Sequence, residues 1–226
     1  MFPGMNIEPI AFFHSPFTSK FGIPRQSGIV HELRGRIRFV PEYANSEALR
    51  GLEDYDYLWL IWGFSQNVDA EKHATVRPPL LGGNERMGVW ATRSPFRPNN
   101  LGLSSVQIAA IDTKTPYIDV LGGDLMDGTP IYDIKPYLPY VDSHPEARGG
   151  FTDSHRWHHL QVELPDELRN LFAPEDANAL EHALALDPRP HYHDDQSRLY
   201  GMPFKGYDIR FSVAEGVLRV EKWVKK

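Results

Sequence analysis

The chain of 226 residues contains no cysteine. That absence excludes disulfides, zinc ribbons, iron–sulfur clusters and thiol nucleophiles, and it suits a reducing compartment. No apolar run reaches the roughly 18 to 20 residues that a membrane-spanning helix needs. The opening MFPGMNIEPIAFFHSPF lacks a basic stretch followed by a long apolar one, so it does not read as a secretion signal, and a cytoplasmic protein is expected. Internal repeats and low-complexity tracts are missing. So are G-x-G-x-x-G after a strand, G-x-x-x-x-G-K-[ST] and G-x-S-x-G. The Asp/Asn-Pro-Pro-aromatic motif of Rossmann-type amino-methyltransferases is only mimicked by Arg77-Pro78-Pro79-Leu80. Together these absences set aside Rossmann cofactor binding.

What is present is the composition of a folded protein: 41% hydrophobic, 12% aromatic and 24% charged residues. The net charge of −6 argues against a generic nucleic-acid coat, which needs an excess of Lys and Arg against phosphate. The charge is unevenly spread, however. Residues 112–195 hold 17 acids against 6 bases, whereas residues 20–38 hold five bases against Glu32 and residues 77–97 hold four Arg against Glu85. A selective RNA partner is compatible with that division.

Strands are predicted at Ile7–Phe13, Ile29–Val40, Tyr57–Phe64, Gly88–Arg93, Ser104–Ile111, Tyr117–Leu121 and Ile131–Ile134, each β-branched or aromatic and bounded by Pro, Gly or Asn. Seven short strands without long helical patterns between them favour a closed or sandwiched β architecture over a parallel βαβ sheet. Short helices are expected only at Glu47–Glu53 and Asp69–Ala74. The pattern lapses at SHPEARGGFTDSHRW, where a linker is placed. Beyond it, Pro174 suits the first position of a helix with Glu175 and Asp176 in its opening turn, and Ala177, Leu180 and Leu184 share a face. The helix should stop before Asp187-Pro188. Alternation of Tyr207, Ile209, Phe211 and Val213, then of Leu218, Val220 and Val224, predicts a terminal hairpin. The expected architecture is therefore mainly β: a closed antiparallel barrel over residues 1–145 and a small α+β domain over residues 160–226.

Three segments carry the chemistry. GVWATRSPFRPNNLGL crowds Arg93 and Arg97 with Ser94, Asn99 and Asn100 between stiffening prolines, a donor-rich loop of the kind that anionic or polar ligands use. FTSKFGIPRQS echoes it, again setting an Arg after a Pro. LGGDLMDGTPIYDIKPYLPY contains a turn at Asp127-Gly128-Thr129-Pro130, and gathers Asp124, Asp133 and Lys135 around the same bend. Such carboxylates can hold ribose hydroxyls or an ammonium group, or accept a proton. Five of the ten histidines cluster, at His155, His158 and His159 and at His191 and His193, in polar stretches without the converging ligands a metal centre requires, so no metal is expected.

GIPRQS, GVWATRSPFRPNNLGLSSV and DLMDGTPIYDIKPYLPY, with Asp187-Pro188-Arg189-Pro190 later on, resemble the signature blocks of the bacterial tRNA adenine-37 N6-methyltransferases with a β-barrel fold. The resemblance covers nearly the whole chain. It implies an S-adenosylmethionine-dependent enzyme that methylates N6 of threonylcarbamoyladenosine in tRNA. It also implies a cytoplasmic homodimer whose C-terminal domain helps to hold the tRNA. Carried over by motif, the cofactor contacts are Pro24, Arg25 and Gln26, then Ser65 and Gln66, then Arg93, Leu103, Asp124, Leu125, Met126 and Asp127. Ser65 stands where the family usually has His, and Asn100 where Pro often follows Arg-Pro-Asn. Arg93 or Arg25 would meet the methionyl carboxylate, and Asp124, Asp127, Asp133 and Tyr132 are the candidates for taking the N6 proton. A hydrolase or lyase for a nucleotide-like metabolite, and a non-catalytic RNA-binding module, are the alternatives.

Overall fold

The computed structural model describes residues 4, 6–67, 71–189 and 198–226. Eight strands lie in the first part of the chain: β1 (Ala11–His14), β2 (Arg34–Phe39), β3 (Tyr57–Gly63), β4 (Thr75–Val76), β5 (Met87–Gly88), β6 (Leu101–Asp112), β7 (Tyr117–Leu121) and β8 (Thr129–Pro136). Six of them close into an antiparallel barrel in the order β1-β2-β7-β6-β3-β8, as expected, while β4 and β5 pair with each other outside it. Period-two alternation drives the closure. Phe13 of β1, Ile37 of β2, Leu58 and Leu60 of β3, Ile118 and Val120 of β7 and Ile131 of β8 all point inward and are buried. Full burial of one such side chain contributes about 1.5 to 3 kcal/mol. Gly35 of β2 is required by this packing: a Cβ there would stand 2.1 Å from Cζ of Phe13, whose ring fills that space.

Several predicted elements differ from those observed. Gly88–Arg93 is not a strand. Only its first residue pairs, and Val89–Ala91 coil into a 3₁₀ turn closed by the Thr92 amide donating to the Val89 carbonyl at 3.1 Å, ahead of two prolines that cannot extend a ladder. The second strand begins at Arg34 rather than Ile29, because Gly28, at φ 78°, turns to donate its amide to the Gly122 carbonyl. Likewise β1 begins only at Ala11. Glu47–Glu53 splits into the 3₁₀ turns Ser46–Leu49 and Leu52–Asp54 at Gly51, which adopts φ 83°. Of Asp69–Ala74, the first two residues lie outside the described residues and the rest are not helical.

After the single turns α1 (Pro139–Asp142) and α2 (Phe151–Ser154), the chain forms β9 (Gln161–Glu163), α3 (Asp166–Arg169), α4 (Pro174–Ala185), β10 (Tyr200–Phe204), β11 (Tyr207–Ala214) and β12 (Val217–Lys225). The sheet order is β10-β11-β12-β9. The helix α4 starts at Pro174 with Glu175 and Asp176 in its first turn, and Ala177, Leu180 and Leu184 are buried, matching the sequence pattern. The terminal hairpin β11–β12 also matches; its turn residues Glu215 and Gly216 take φ 51° and 78°, the left-handed pair that favours a tight hairpin.

The β1–β2 connection joins the core of the C-terminal sheet, which is separate from the core inside the barrel. Phe17, Val30 and Leu33 of that connection are buried in one cluster with Leu168 and Leu180 of the helices and Met202, Phe204 and Phe211 of the sheet. Polar contacts follow the same seam: the Lys205 amide donates to the Pro16 carbonyl at 3.0 Å, and Glu32 lies 3.0 Å from Nδ1 of His182. Among the described residues no helix is long and apolar enough to cross a membrane.

Candidate functional site

A cleft of about 1940 Å³ runs from one end of the barrel to the C-terminal unit. Five of the stretches that reach it carry predicted contacts or their neighbours. The β1–β2 connection supplies Pro24, Arg25 and Gln26; the 3₁₀ turn after β3 supplies Ser65 and Gln66; the loop before β6 supplies Arg93; β6 supplies Gly102 and Leu103; and the β7–β8 turn supplies Asp124, Leu125 and Met126. Lys20, Arg25, Arg77, Arg86, Arg93, Arg97 and Arg156 also line it, against Asp124 as the sole lining carboxylate among the described residues. In a chain of net charge −6, that concentration of cations makes the cleft a focus for anionic ligands.

Asp124 is held by a directional relay. The Trp62 indole Nε1 donates to Ser104 Oγ at 2.9 Å, and Ser104 Oγ in turn donates to Asp124 Oδ1 at 2.6 Å. An indole is a donor only, so the serine hydroxyl must accept from it and has its own proton free for the carboxylate. Burial raises the Asp124 carboxyl above its ordinary value; the Ser104 hydroxyl, the backbone amides of Asp124 and Ser27 and the charge of Arg93 oppose it without cancelling it. Trp62 is kept in register by Gly102, where a Cβ would fall 2.3 Å from the indole ring. Neither Ser104 nor Trp62 was singled out in the sequence. The available signal was Ser104 itself, a polar residue in the inward register of Gly102 and Val106, and it is 1% exposed.

Arg93 donates from Nη1 to the Gln26 side-chain oxygen at 2.5 Å, joining two of the five stretches. Arg25 has a different task. Its guanidinium donates to the carbonyls of Leu186 and Asp187 at 3.0 and 3.1 Å and lies 3.6 Å from the centroid of the Trp157 ring. Burial pulls its pKa down and the nearby Asp187 charge raises it. The Arg25 fork is thereby engaged across the seam, whereas Arg93 lines the cleft beside Gln26.

The remaining candidates stand apart. Asp127 accepts from the Ser15 amide at 3.1 Å and lies 3.3 Å from Nδ1 of His14, so it anchors the exit of β1. Asp133 pairs with Lys135 at 2.7 Å, and the Tyr132 ring packs over Gly63, where a Cβ would meet it at 2.8 Å. None of these three lines the cleft. His155 and His159 do line it, whereas His191 and His193 lie outside the described residues. Among the described residues no group of three or more His, Asp or Glu is placed to hold a metal ion.

Asn100 ties the loop after Arg93 to the turn after β3. Its amide donates to the Arg97 carbonyl at 3.3 Å, its Nδ2 donates to the Asn67 carbonyl at 3.2 Å, and its φ is 49°. Proline can satisfy none of these. Asn100→Pro is therefore expected to cost about 3 kcal/mol, read as a fall in Tm of roughly 6 to 12 °C. An unchanged Tm would show that the loop holds without this latch.

The fold and the cleft define a β-barrel protein whose cleft, among the described residues, sets one half-buried carboxylate inside a cationic rim. The comparisons narrow this. The model of the tRNA-methyltransferase O N-terminal domain matches residues 12–143, and that of the TrmO C-terminal domain matches residues 158–226. The tRNA (adenine(37)-N6)-methyltransferase of Escherichia coli (strain K12) is 36% identical over 223 residues, covering 94% of this chain and 95% of that protein. A Pseudomonas aeruginosa protein carrying the name S-adenosylmethionine-dependent methyltransferase RcsF is 36% identical over 213 residues, covering 91% of each. The crystal structure of TrmO from P. aeruginosa superposes with a TM-score of 0.81 at 30% identity, over 100% of this chain and 99% of that one. The chain belongs to the tRNA-methyltransferase O family.

Proposed function

We propose that this protein transfers the methyl group of S-adenosylmethionine to N6 of N6-threonylcarbamoyladenosine at position 37 of tRNA, beside the anticodon. Family membership supports tRNA adenine-N6 methylation, in line with the name of the E. coli relative, and the name of the P. aeruginosa relative supports the methyl donor. The observation that carries the reading is the meeting of Asp124, Arg93 and Gln26 in a cleft whose other charges, among the described residues, are cationic.

The residues fit the donor. S-adenosylmethionine carries a sulfonium, an ammonium and a carboxylate, and when bound it supplies an electrophilic methyl group. Arg93 offers a guanidinium fork for the carboxylate, Asp124 offers the one counter-charge for the cationic poles, and Leu103, Leu125 and Met126 offer apolar surface for adenine. Backbone contacts at Pro24, Ser65 and Gln66 complete the proposed set, so Ser65 serves without the imidazole of its relatives.

The attacking N6 lies between adenine and a carbamoyl, and its lone pair is delocalised. Rate then depends on holding nucleophile and methyl in line, and on removing the N6 proton. Asp124, set in the cleft beside Arg93, would serve first as a counter-charge to the bound donor. Its raised affinity for protons then suits it to accept the proton from N6. Asp127, Asp133 and Tyr132 are less suited, because they lie off the cleft lining. The cationic rim would meet the anticodon-stem phosphates, and the C-terminal unit, across the linker at residues 143–157, would help to hold the tRNA. A cytoplasmic homodimer belongs to the same reading. Family membership favours methyl transfer over a nucleotide hydrolase or lyase and over a non-catalytic RNA-binding module.

The test uses labelled S-adenosylmethionine with two tRNA preparations, one bearing threonylcarbamoyladenosine and one with unmodified A37. Label is expected in the modified nucleoside only. Label on the unmodified adenosine would overturn the substrate assignment, and no transfer together with no cofactor binding would overturn the whole reading.

A further inference from the structure

Trp90 is 73% exposed. An indole face left in water forgoes the burial that normally places tryptophan in cores or interfaces, and here the mount is rigid. Val89, one residue earlier, is 3% exposed; its amide donates to the Ala74 carbonyl at 3.0 Å, and its carbonyl accepts from Thr92 Oγ1 at 2.9 Å. Anchoring Val89 inward turns Trp90 out into the cleft lining. The Arg97 guanidinium lies over the indole, 5.8 Å from its centroid, and Phe96, itself 37% exposed, packs beside His73. Arg77 and Arg86 rise from the neighbouring β4–β5 ribbon, with Arg86 donating to Thr75 Oγ1 at 2.8 Å. Over residues 71–100 there are five Lys or Arg against Glu71 and Glu85.

We propose that Trp90 is a stacking platform for an unpaired base of the tRNA anticodon loop next to the methylated nucleoside, with Arg77 and Arg86 meeting the phosphates that flank it. This rests on the tRNA reading above and adds to it the residue that reads the loop. Exposed aromatics interleaved with cations and short of acids match single-stranded RNA, whose splayed bases stack on aromatic faces while the backbone follows positive charge. A protein partner would require acidic complements to five cations, whereas an RNA backbone supplies them everywhere. The platform lines the same cleft as Asp124 and Arg93 but is carried by β4, β5 and the turn that follows them.

Trp90→Ala, Trp90→Phe and the double variant Arg77→Ala/Arg86→Ala test this by filter binding of tRNA over a salt series, with S-adenosylmethionine affinity by calorimetry alongside. Trp90→Ala is expected to weaken tRNA binding roughly tenfold to hundredfold while leaving cofactor affinity and the salt slope unchanged, and Trp90→Phe to recover most of the loss. The double Arg variant is expected to lower the log–log salt slope by about one to two. Wild-type tRNA affinity in Trp90→Ala would overturn the proposal. So would a variant that dissociates a dimer by light scattering while still binding tRNA, which would assign the indole to a subunit contact. If the wild-type protein binds cofactor but no tRNA, the functional reading falls and the platform falls with it; if the wild type methylates tRNA and Trp90→Ala does so with the same KM, the platform alone falls.

Discussion

Replacing Asp124 with asparagine is expected to leave the protein folded, to weaken S-adenosylmethionine binding about tenfold to hundredfold, and to slow methyl transfer by a further factor of about 100 or more. Asparagine keeps an acceptor for the Ser104 hydroxyl at nearly the same place, so the relay from Trp62 survives while the charge is lost. Stability should move in the opposite sense to function. Burial raises the Asp124 carboxyl, so the folded protein binds that proton more tightly than the unfolded chain. Wild-type stability therefore declines as pH rises through the window between the unfolded value and the raised folded one, and the loss is complete above it. The Asn variant has no such ionisation: it should be at least as stable as wild type at neutral pH, with the difference vanishing in acid. Cofactor affinity of the wild type should fall as pH drops through the raised value, and the variant should lack that limb. Calorimetry across pH measures both. A variant that binds and turns over like wild type would remove Asp124 from the site.

The second large effect is expected at Arg25→Ala. The side chain spans the seam between barrel and C-terminal unit, with two donated hydrogen bonds to the Leu186 and Asp187 carbonyls and its guanidinium stacked on Trp157. Removing it deletes two hydrogen bonds and a cation–π contact, which together cost about 3 kcal/mol, or roughly 6 to 12 °C in Tm. Lysine should not rescue, because a point charge cannot bridge two carbonyls as the guanidinium fork does. Pro24 and Gln26 flank Arg25, and Gln26 receives Arg93, so loosening this loop should also weaken cofactor binding about tenfold. Faster amide exchange confined to residues 157–189 would place the damage at the seam. Wild-type Tm and cofactor affinity would show that the seam does not depend on Arg25.

The sequence by itself determined the elements whose periodicity is strong and local. Tyr117–Leu121 forms a strand with the predicted bounds, α4 runs from Pro174 and stops before Asp187-Pro188, and the hairpin turns at Glu215-Gly216. In these places the alternation, the cap and the turn chemistry sit within a few residues of one another, so neighbours alone decide the outcome. The motif blocks likewise marked the segments that line the cleft. Tertiary structure decided the rest, because the deciding partners lie far away along the chain. Gly88–Arg93 abandoned its strand when Val89 was claimed by Ala74. Arg25 and Arg93 both sit in proline-containing loops, and only the arrival of Leu186, 161 residues on, makes Arg25 a clamp across the seam while Arg93 pairs with Gln26 in the cleft. Three aspartates and a tyrosine looked equivalent around one bend, yet the β7–β8 turn sends Asp124 inward to Ser104 and holds Asp127 against His14 and Ser15. A residue's type sets which interactions it can make, whereas which one it makes depends on what the folded chain brings within 3 Å of it.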